Sequence, residues 1–254
     1  MINVIMHGCN GKMGQVITGI LKDDTVAKIV AGVDLYDDGH NDYPVFSRIK
    51  ECNVKADVII DFCNAKAVDD LLDYALDTQT PVVLCTTGLD ERQLARVSEA
   101  SEKVAILRSA NMSLGVNVII KQLKEFARTL APAGFDIEIV EKHHNLKVDA
   151  PSGTAIALAD SINEAMDGEY EYIYDRSQRR EKRDAKELGI SAVRGGTIVG
   201  DHDVIFAGMD EVITISHRAY SKSLFAKGAV SAAKFLAGKG AGMYDMQQVI
   251  ANEQ

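Results

Sequence analysis

Seven residues near the start of the chain, Gly8-Cys9-Asn10-Gly11-Lys12-Met13-Gly14, restrict the fold more than any other stretch. They follow a short apolar run at 2–7. They precede a segment in which Met13, Val16, Ile17, Ile20 and Leu21 recur at helical spacing. A strand that turns at once into a helix needs glycine where the backbone bends and where helix packs on strand. The same glycines let a pyrophosphate approach the backbone, with the helix-start N–H groups facing it. Asp34 closes the next apolar run, 27–33, about twenty residues further on, where a carboxylate can accept hydrogen bonds from an adenosine ribose. Gly8, Asn10, Gly11, Lys12, Met13, Gly14 and Asp34 are therefore candidates for holding a dinucleotide.

Further apolar runs at 57–61, 81–85 and 104–107 alternate with helical patterns through 67–75 and 90–103. This alternation predicts an α/β fold, a Rossmann-type doubly wound parallel sheet. Ligands bind at the carboxyl ends of such strands. Thr86, Thr87 and Gly88 follow the fourth run and offer backbone and hydroxyl groups to a nicotinamide amide. Phe62 follows the third and can pack near the dinucleotide. The pattern changes after Asn111. It predicts helices over 114–130 and 153–166, and strands at 135–140, 191–193, 198–200, 204–207 and 212–216. Together these read as a smaller α+β domain with a mixed, mainly antiparallel sheet. A small-residue helix at 223–236 can return to the first domain. The expected organisation is a dinucleotide-binding domain of 1–112 and 223–254, and a substrate-binding and oligomerisation domain of 113–222. The mixed charges of 175–187 read as a solvated surface.

Composition excludes several functions. With a net charge of −9, no Trp and 6% aromatic residues, the chain is a poor nucleic-acid binder. No apolar run approaches the ~20 residues of a membrane helix. The first residues enter a strand directly, with no basic segment and long apolar run ahead of it, so a cytoplasmic location is expected. Cys9, Cys52, Cys63 and Cys85 are scattered and read as reduced thiols, with no metal site.

The second constellation is Glu141–Ala155, EKHHNLKVDAPSGTA. His143 and His144 can trade protons near neutral pH. Lys147 adds a fixed positive charge. Ser152, Gly153 and Thr154 open a helix whose free N–H groups suit an anion. Together they predict a pocket for a carboxylate-bearing substrate that also receives a proton.

These motifs resemble one family, the 4-hydroxy-tetrahydrodipicolinate reductases, also called dihydrodipicolinate reductases, of lysine and diaminopimelate biosynthesis. The resemblance runs nearly end to end. It includes the glycine loop, Thr86-Thr87-Gly88, the segment SANMSLGVN at 109–117, the block at 141–155, Arg194-Gly195-Gly196 and VGDH at 199–202. It implies an NADH- and/or NADPH-dependent oxidoreductase acting on a small cyclic dicarboxylate, assembled as a homotetramer through the sheets of its substrate domains. It also implies that His143 donates the proton and Lys147 binds substrate and assists. His144, Ser152, Gly153 and Thr154 would line the carboxylate sites, and Ser109, Asn111 and Met112 would lie at the cofactor hinge. Closure is expected about hinges at 111–113 and 219–222. Two positions depart from the family pattern: Lys222 stands where some members carry arginine, and Met112 where phenylalanine is common.

Leu35-Tyr36 follow Asp34 where NADP binders often place an arginine, so NADH is expected to be used. NADPH should be tolerated if Lys12 meets its 2′-phosphate. Two rival readings are another two-domain nicotinamide dehydrogenase acting on an amino or imino acid, and a non-catalytic redox sensor. The histidine–lysine–Ser-Gly-Thr block argues against the first. The absence of a basic patch argues against the second.

Overall fold

The computed structural model describes residues 1–37 and 39–252. Along the chain run β1 (Ile2–His7), α1 (Lys12–Lys22), β2 (Ala27–Val33), β3 (Val45–Phe46), β4 (Val58–Asp61), α2 (Val68–Thr78), β5 (Val82–Leu84), α3 (Glu91–Ser101), β6 (Ala105–Leu107) and α4 (Leu114–Leu130). They are followed by β7 (Asp136–His143), α5 (Gly153–Ala165), β8 (Glu171–Ile173), β9 (Glu187–Arg194), β10 (Gly200–Ala207), β11 (Val212–Ala219), α6 (Ser223–Leu236), β12 (Gly242–Tyr244) and α7 (Met246–Asn252). Two compact units result: Met1–Leu114 with Ser223–Gln254, and Gly115–Lys222.

The first unit is built on a seven-stranded sheet of order β12-β6-β5-β4-β1-β2-β3, with every pairing parallel. Period-two alternation splits each strand between two cores. Val4, Met6, Val58 and Ile60 face α1 and the alanine-rich side of α6 (Ala226, Ala229, Ala233). Ile5, Ile59, Val82 and Ile106 face α2 and α3, where Leu71 and Leu72 are fully buried. Truncating either leucine to alanine should cost about 2–5 kcal/mol. The strand order reverses at β1. The carboxyl ends of β1, β2 and β4 therefore open a crevice at a topological switch point. Gly8, Asp34 and Phe62 all stand there. Strands β3 and β12 and helix α7 were not expected: each strand is two or three residues long, with no apolar run to mark it.

The second unit carries a five-stranded sheet of order β11-β10-β7-β9-β8. Its β11–β10 and β10–β7 pairings are antiparallel, and its β7–β9 and β9–β8 pairings are parallel. Helices α4 and α5 pack on one face through Leu123, Leu158 and Ile162 against Ile137, Ile139, Val204 and Phe206. Three expectations need correction here. Strand β7 does not stop at 140 but runs to His143, because Glu141 and His143 are buried with internal partners. The two runs at 198–200 and 204–207 are one strand, β10, with Ile198 and Val199 outside it. The charged segment 175–187 is only in part a solvated face. Arg183 lies 3.0 Å from Glu138 and 2.7 Å from Asp136, and donates to the Ile137 carbonyl. Arg176 and Arg179 meet the buried Glu187 carboxylate. Carboxylates brought in on β7 and β9 need counter-charge, and the arginines are drawn onto the sheet to supply it.

Candidate active site

At the end of β1 the chain turns through Gly8 at φ +85°, a conformation that glycine adopts readily. A β-carbon there would lie 2.6 Å from the Phe62 carbonyl oxygen, and one on Gly14 would lie 2.2 Å from the Gly8 carbonyl oxygen. The Gly8 and Gly11 N–H groups donate to Val33 and Gly8 carbonyls at 2.8 and 3.2 Å. Asp34 Oδ2 accepts from the Asn10 N–H at 2.9 Å. The Asn10 side chain donates to the Tyr36 carbonyl and accepts from Asn41 at 2.7 Å. Asp34 thus braces the glycine loop as well as facing the crevice. Helix α1 is capped by Gly11, which supplies no side-chain acceptor, so its first N–H groups are left for an anion. Lys12 is exposed beside them, and Met13 is half-buried against the core. A cavity of about 370 Å³ beside the loop is lined by His7, Asp34, Leu35, Arg48, Asn64 and Lys66 among others. An uncapped helix start, the Asp34 carboxylate and a cavity at the strand ends fit a dinucleotide.

Beneath this cavity His7 is buried with Nδ1 2.8 Å from Asp61 Oδ1, and Asp61 is fully buried. The two atoms are close but poorly aligned as a hydrogen bond, so charge holds the pair. Burial alone would lower the pKa of His7. The Asp61 carboxylate, with Cys63 adding to it, outweighs burial and pushes it up to about 10. Thr86 Oγ donates to Asp61 Oδ2 at 2.6 Å.

The Thr86 hydroxyl is therefore turned inward, contrary to its expected reach toward a nicotinamide amide. Thr87 and Gly88 are exposed, with Gly88 at φ +75°. Phe62 is half-buried against the core, as Ser109 is half-buried nearby in sequence to Asn111. Buried Asn111 accepts from the Ser113 N–H at 2.8 Å. Met112 also has its side chain turned inward. It lies in the hydrophobic core, and its carbonyl sits where a β-carbon on Gly228 would come within 1.6 Å. It is therefore a packing residue of the first unit.

In the second unit, Glu141 and His143 share the inward face of β7, two residues apart. Glu141 is wholly buried, and its carboxylate is fully used. Arg194, at the end of β9, makes two hydrogen bonds to it, at 2.7 and 2.6 Å. His143 Nδ1 lies 2.6 Å from Oε2, and the Ser152 N–H donates to Oε1 at 2.9 Å. Burial would raise the Glu141 pKa; Arg194, then His143 and the Ser152 N–H, reverse this and hold it below the ordinary carboxylate range. The rings of His143 and His202 meet edge-on at 5.2 Å. Burial first, and then the neighbouring His143, push His202 down to about 4. His202 Nε2 lies 3.1 Å from Ser152 Oγ.

Residues 144–152 connect this cluster to α5. The loop is pinned by Asn145 N–H to the Gly196 carbonyl at 3.2 Å and by Arg194 to the Asp149 carbonyl at 2.7 Å. Lys147 Nζ lies 2.8 Å from Asp149 Oδ1. Lys147 first, with the Gly153 N–H assisting, holds the Asp149 carboxyl below its usual range. Gly153 is exposed, with open space around its α-carbon, at the head of α5. Thr154 follows it, half-buried, and His144 is half-buried with a buried, unpartnered Nδ1. Ser152 is 2% exposed, and its Oγ caps α5 by accepting from the Ala155 N–H at 3.2 Å. It braces Glu141 and His202 rather than lining an open surface.

The expected residues thus fall into two groups: His143 with Ser152, and Lys147 with Gly153. Glu141, Arg194, His202 and Asp149 join them, none of which was among the candidate site residues. The signal available for Glu141 was its two-residue spacing from His143, which places both on one face of a strand.

The parallel sheet and uncapped glycine loop define a nicotinamide-dependent oxidoreductase of the Rossmann type. Models of the dihydrodipicolinate reductase N-terminus and C-terminus match residues 2–112 and 115–250, so the chain belongs to the dihydrodipicolinate reductase family. The chain is 53% identical over 250 residues, covering 98% of both chains, to a 4-hydroxy-tetrahydrodipicolinate reductase of Caldanaerobacter subterraneus subsp. tengcongensis. It is 48% identical to one from Clostridium tetani, covering 97% of this chain and 96% of the relative. The fold superposes with a TM-score of 0.79 on a dipicolinate-bound dihydrodipicolinate reductase from Paenisporosarcina sp. TG-14, at 24% identity over 96% of this chain and 97% of the other. Among the described residues no helix is long and apolar enough to cross a membrane.

Proposed function

We propose that the chain reduces 4-hydroxy-tetrahydrodipicolinate to tetrahydrodipicolinate, with release of water, in lysine and diaminopimelate biosynthesis. The observation that carries this reading is the Glu141–His143 pair, placed in one loop's reach of an exposed helix start. The cofactor supplies a hydride when bound. The glycine loop, Lys12 and the first N–H groups of α1 take its pyrophosphate, and Asp34 takes the adenosine ribose. NADH is the expected donor. Arg48 and Lys66 line the same cavity as Asp34, and Lys12 is exposed at the head of α1, so a 2′-phosphate can be admitted and NADPH is also used.

Hydride addition to a carbon conjugated with the imine leaves negative charge in the ring. His143 quenches it by giving up a proton. The two substrate carboxylates need positive partners in a site with little water. Gly153 and Thr154 offer N–H groups at the positive end of α5, and Lys147 and His144 meet the second carboxylate. Gly153 suits this because no side chain there blocks approach of an anion to the backbone. A homotetramer fits the uncovered face of the five-stranded sheet, where Val193 and Val212 are exposed, and light scattering in solution tests it.

The test of function is the initial rate of NADH and NADPH oxidation with 4-hydroxy-tetrahydrodipicolinate generated in place, for wild type and His143→Ala. Rapid oxidation by wild type, with kcat reduced on the order of 100-fold in the variant, is expected. Wild-type protein that binds NADH yet oxidises none of it would refute the assignment.

A further inference from the structure

The established chemistry of a histidine acid leaves open which ring nitrogen carries the exchangeable proton and what keeps the ring in place. Glu141 is fully buried on the strand that carries His143, and its Oε2 lies 2.6 Å from Nδ1. A buried carboxylate so close to an imidazole accepts from an N–H. Nδ1 therefore holds a proton through the cycle and Nε2 is left to exchange one. The Nε2 side of the ring passes over Gly200, where a β-carbon would come within 3.0 Å. Arg194 grips both Glu141 oxygens and also the Asp149 carbonyl in the following loop. The Ser152 N–H holds Oε1 from the third side.

We infer that Glu141, clamped by Arg194, is a positioning residue that fixes the His143 tautomer and stabilises its protonated ring, making Nε2 the atom that delivers the proton. This rests on the reading of His143 as the acid given above. In the step, the Nε2–H bond breaks and a new bond to hydrogen forms on the reduced substrate. The pair of electrons left on Nε2 makes the ring neutral, while Nδ1–H stays on Glu141. The ring regains its proton from solvent.

The charged and titratable groups around His143 are Glu141 on its own strand, Arg194 on β9, His202 on β10 and Lys147 in the loop beyond. Of these only Glu141 is negative and in contact with the ring. Arg194 neutralises the carboxylate without competing for Nδ1, because its two bonds approach from the β9 side. A planar fork is needed for that double grip, so lysine is a poor substitute.

The experiment pairs Glu141→Gln with His143→Gln. In Glu141→Gln the shape persists and the charge is lost. The expected result is a kcat loss on the order of 10–100-fold, a substrate KM within about threefold of wild type and an unchanged NADH dissociation constant. The alkaline limb of the kcat profile, where the acid loses its proton, should also move toward lower pH, because the charged ring has lost its partner. A folded Glu141→Gln enzyme with wild-type kcat and pH profile overturns the proposal if His143→Gln is inactive. If His143→Gln is itself fully active, the reading of His143 as the acid fails first.

The tautomer can be read without any variant. Long-range proton–nitrogen correlation spectra of histidine-labelled wild-type protein, at a pH where the ring is neutral, should show His143 protonated at Nδ1. Protonation at Nε2 with bare Nδ1 would overturn the proposal even if Glu141→Gln failed to fold.

Discussion

Two glycines five residues apart on α1 should respond to the same substitution with opposite signs. A β-carbon on Gly14 would lie 2.2 Å from the Gly8 carbonyl oxygen and 2.5 Å from that of Cys9. Real β-carbons essentially never come under 3.0 Å, so one of these backbone atoms must move by about 0.8 Å, the difference between 3.0 and 2.2 Å. Neither is the tip of a flexible side chain. Overpacking of this kind costs about 3 kcal/mol, against which alanine in a helix returns about 1 kcal/mol. The net loss of about 2 kcal/mol should lower Tm by about 4–8 °C. A carbonyl displaced by that distance also reshapes the pyrophosphate loop, so NADH affinity should fall at least about tenfold, or about 1.4 kcal/mol.

A β-carbon on Gly19, by contrast, would meet nothing within 4 Å, and this residue is exposed on the same helix. Gly19→Ala should therefore gain about 1 kcal/mol of helix propensity, raise Tm by about 2–4 °C and leave NADH binding alone. Thermal unfolding by circular dichroism and fluorescence titration with NADH measure both quantities. Equal Tm changes of the same sign, or unaltered NADH affinity in Gly14→Ala, would refute the steric argument.

Asp34→Ala should weaken NADH about tenfold more than NADPH in fluorescence titrations, because the lost carboxylate reads a free 2′-hydroxyl and repels a phosphate. Equal losses would mean that its bond to the Asn10 N–H is its whole role. His7 binds its proton with an ordinary pKa of 6.5 when unfolded and with one of about 10 when folded, so its stabilising effect is complete below pH 6.5 and gone above about 10. The Tm difference between wild type and His7→Asn should shrink as pH rises through that window; a gap that stays constant contradicts the ion pair. Arg183→Ala should cost about 1–3 kcal/mol in urea unfolding, because two carboxylates and three carbonyls lose one shared donor. A loss below about 0.5 kcal/mol would match an ordinary surface arginine instead.

The parallel sheet was legible because β1, β2, β4 and β5 are largely apolar runs, each ending where a glycine, carboxylate or threonine marks a turn. Val45–Phe46 and Gly242–Tyr244 were not, since two or three residues hydrogen-bonded to a sheet edge need no hydrophobic run of their own. The active-site block was legible in its residue types but not in its shape. Glu141 and His143 are polar residues in buried strand positions, so hydrophobic periodicity ended the strand before reaching them. Arg183 was misread for a related reason. Its partners Asp136 and Glu138 lie more than forty residues earlier, and nothing in the local charge pattern of 175–187 names them. Thr86 and Met112 show the complementary limit: motif position does not say where a side chain points, and packing turns both toward the interior.

The return of the chain to its first unit has a consequence for synthesis. Helix α6 fills one side of the parallel sheet with Ala226, Ala229, Ala233 and Leu236, and β12 closes the sheet's edge against β6. Both leave a ribosome after residues 115–222. Until then Val4, Met6, Ile60 and Leu107 lack their cover, although they were made earlier. Residues 115–222 form one uninterrupted unit and can complete their own core earlier. The nascent chain should therefore finish residues 115–222 before the unit that surrounds them in sequence, and the nucleotide crevice should mature after that unit's later segment arrives.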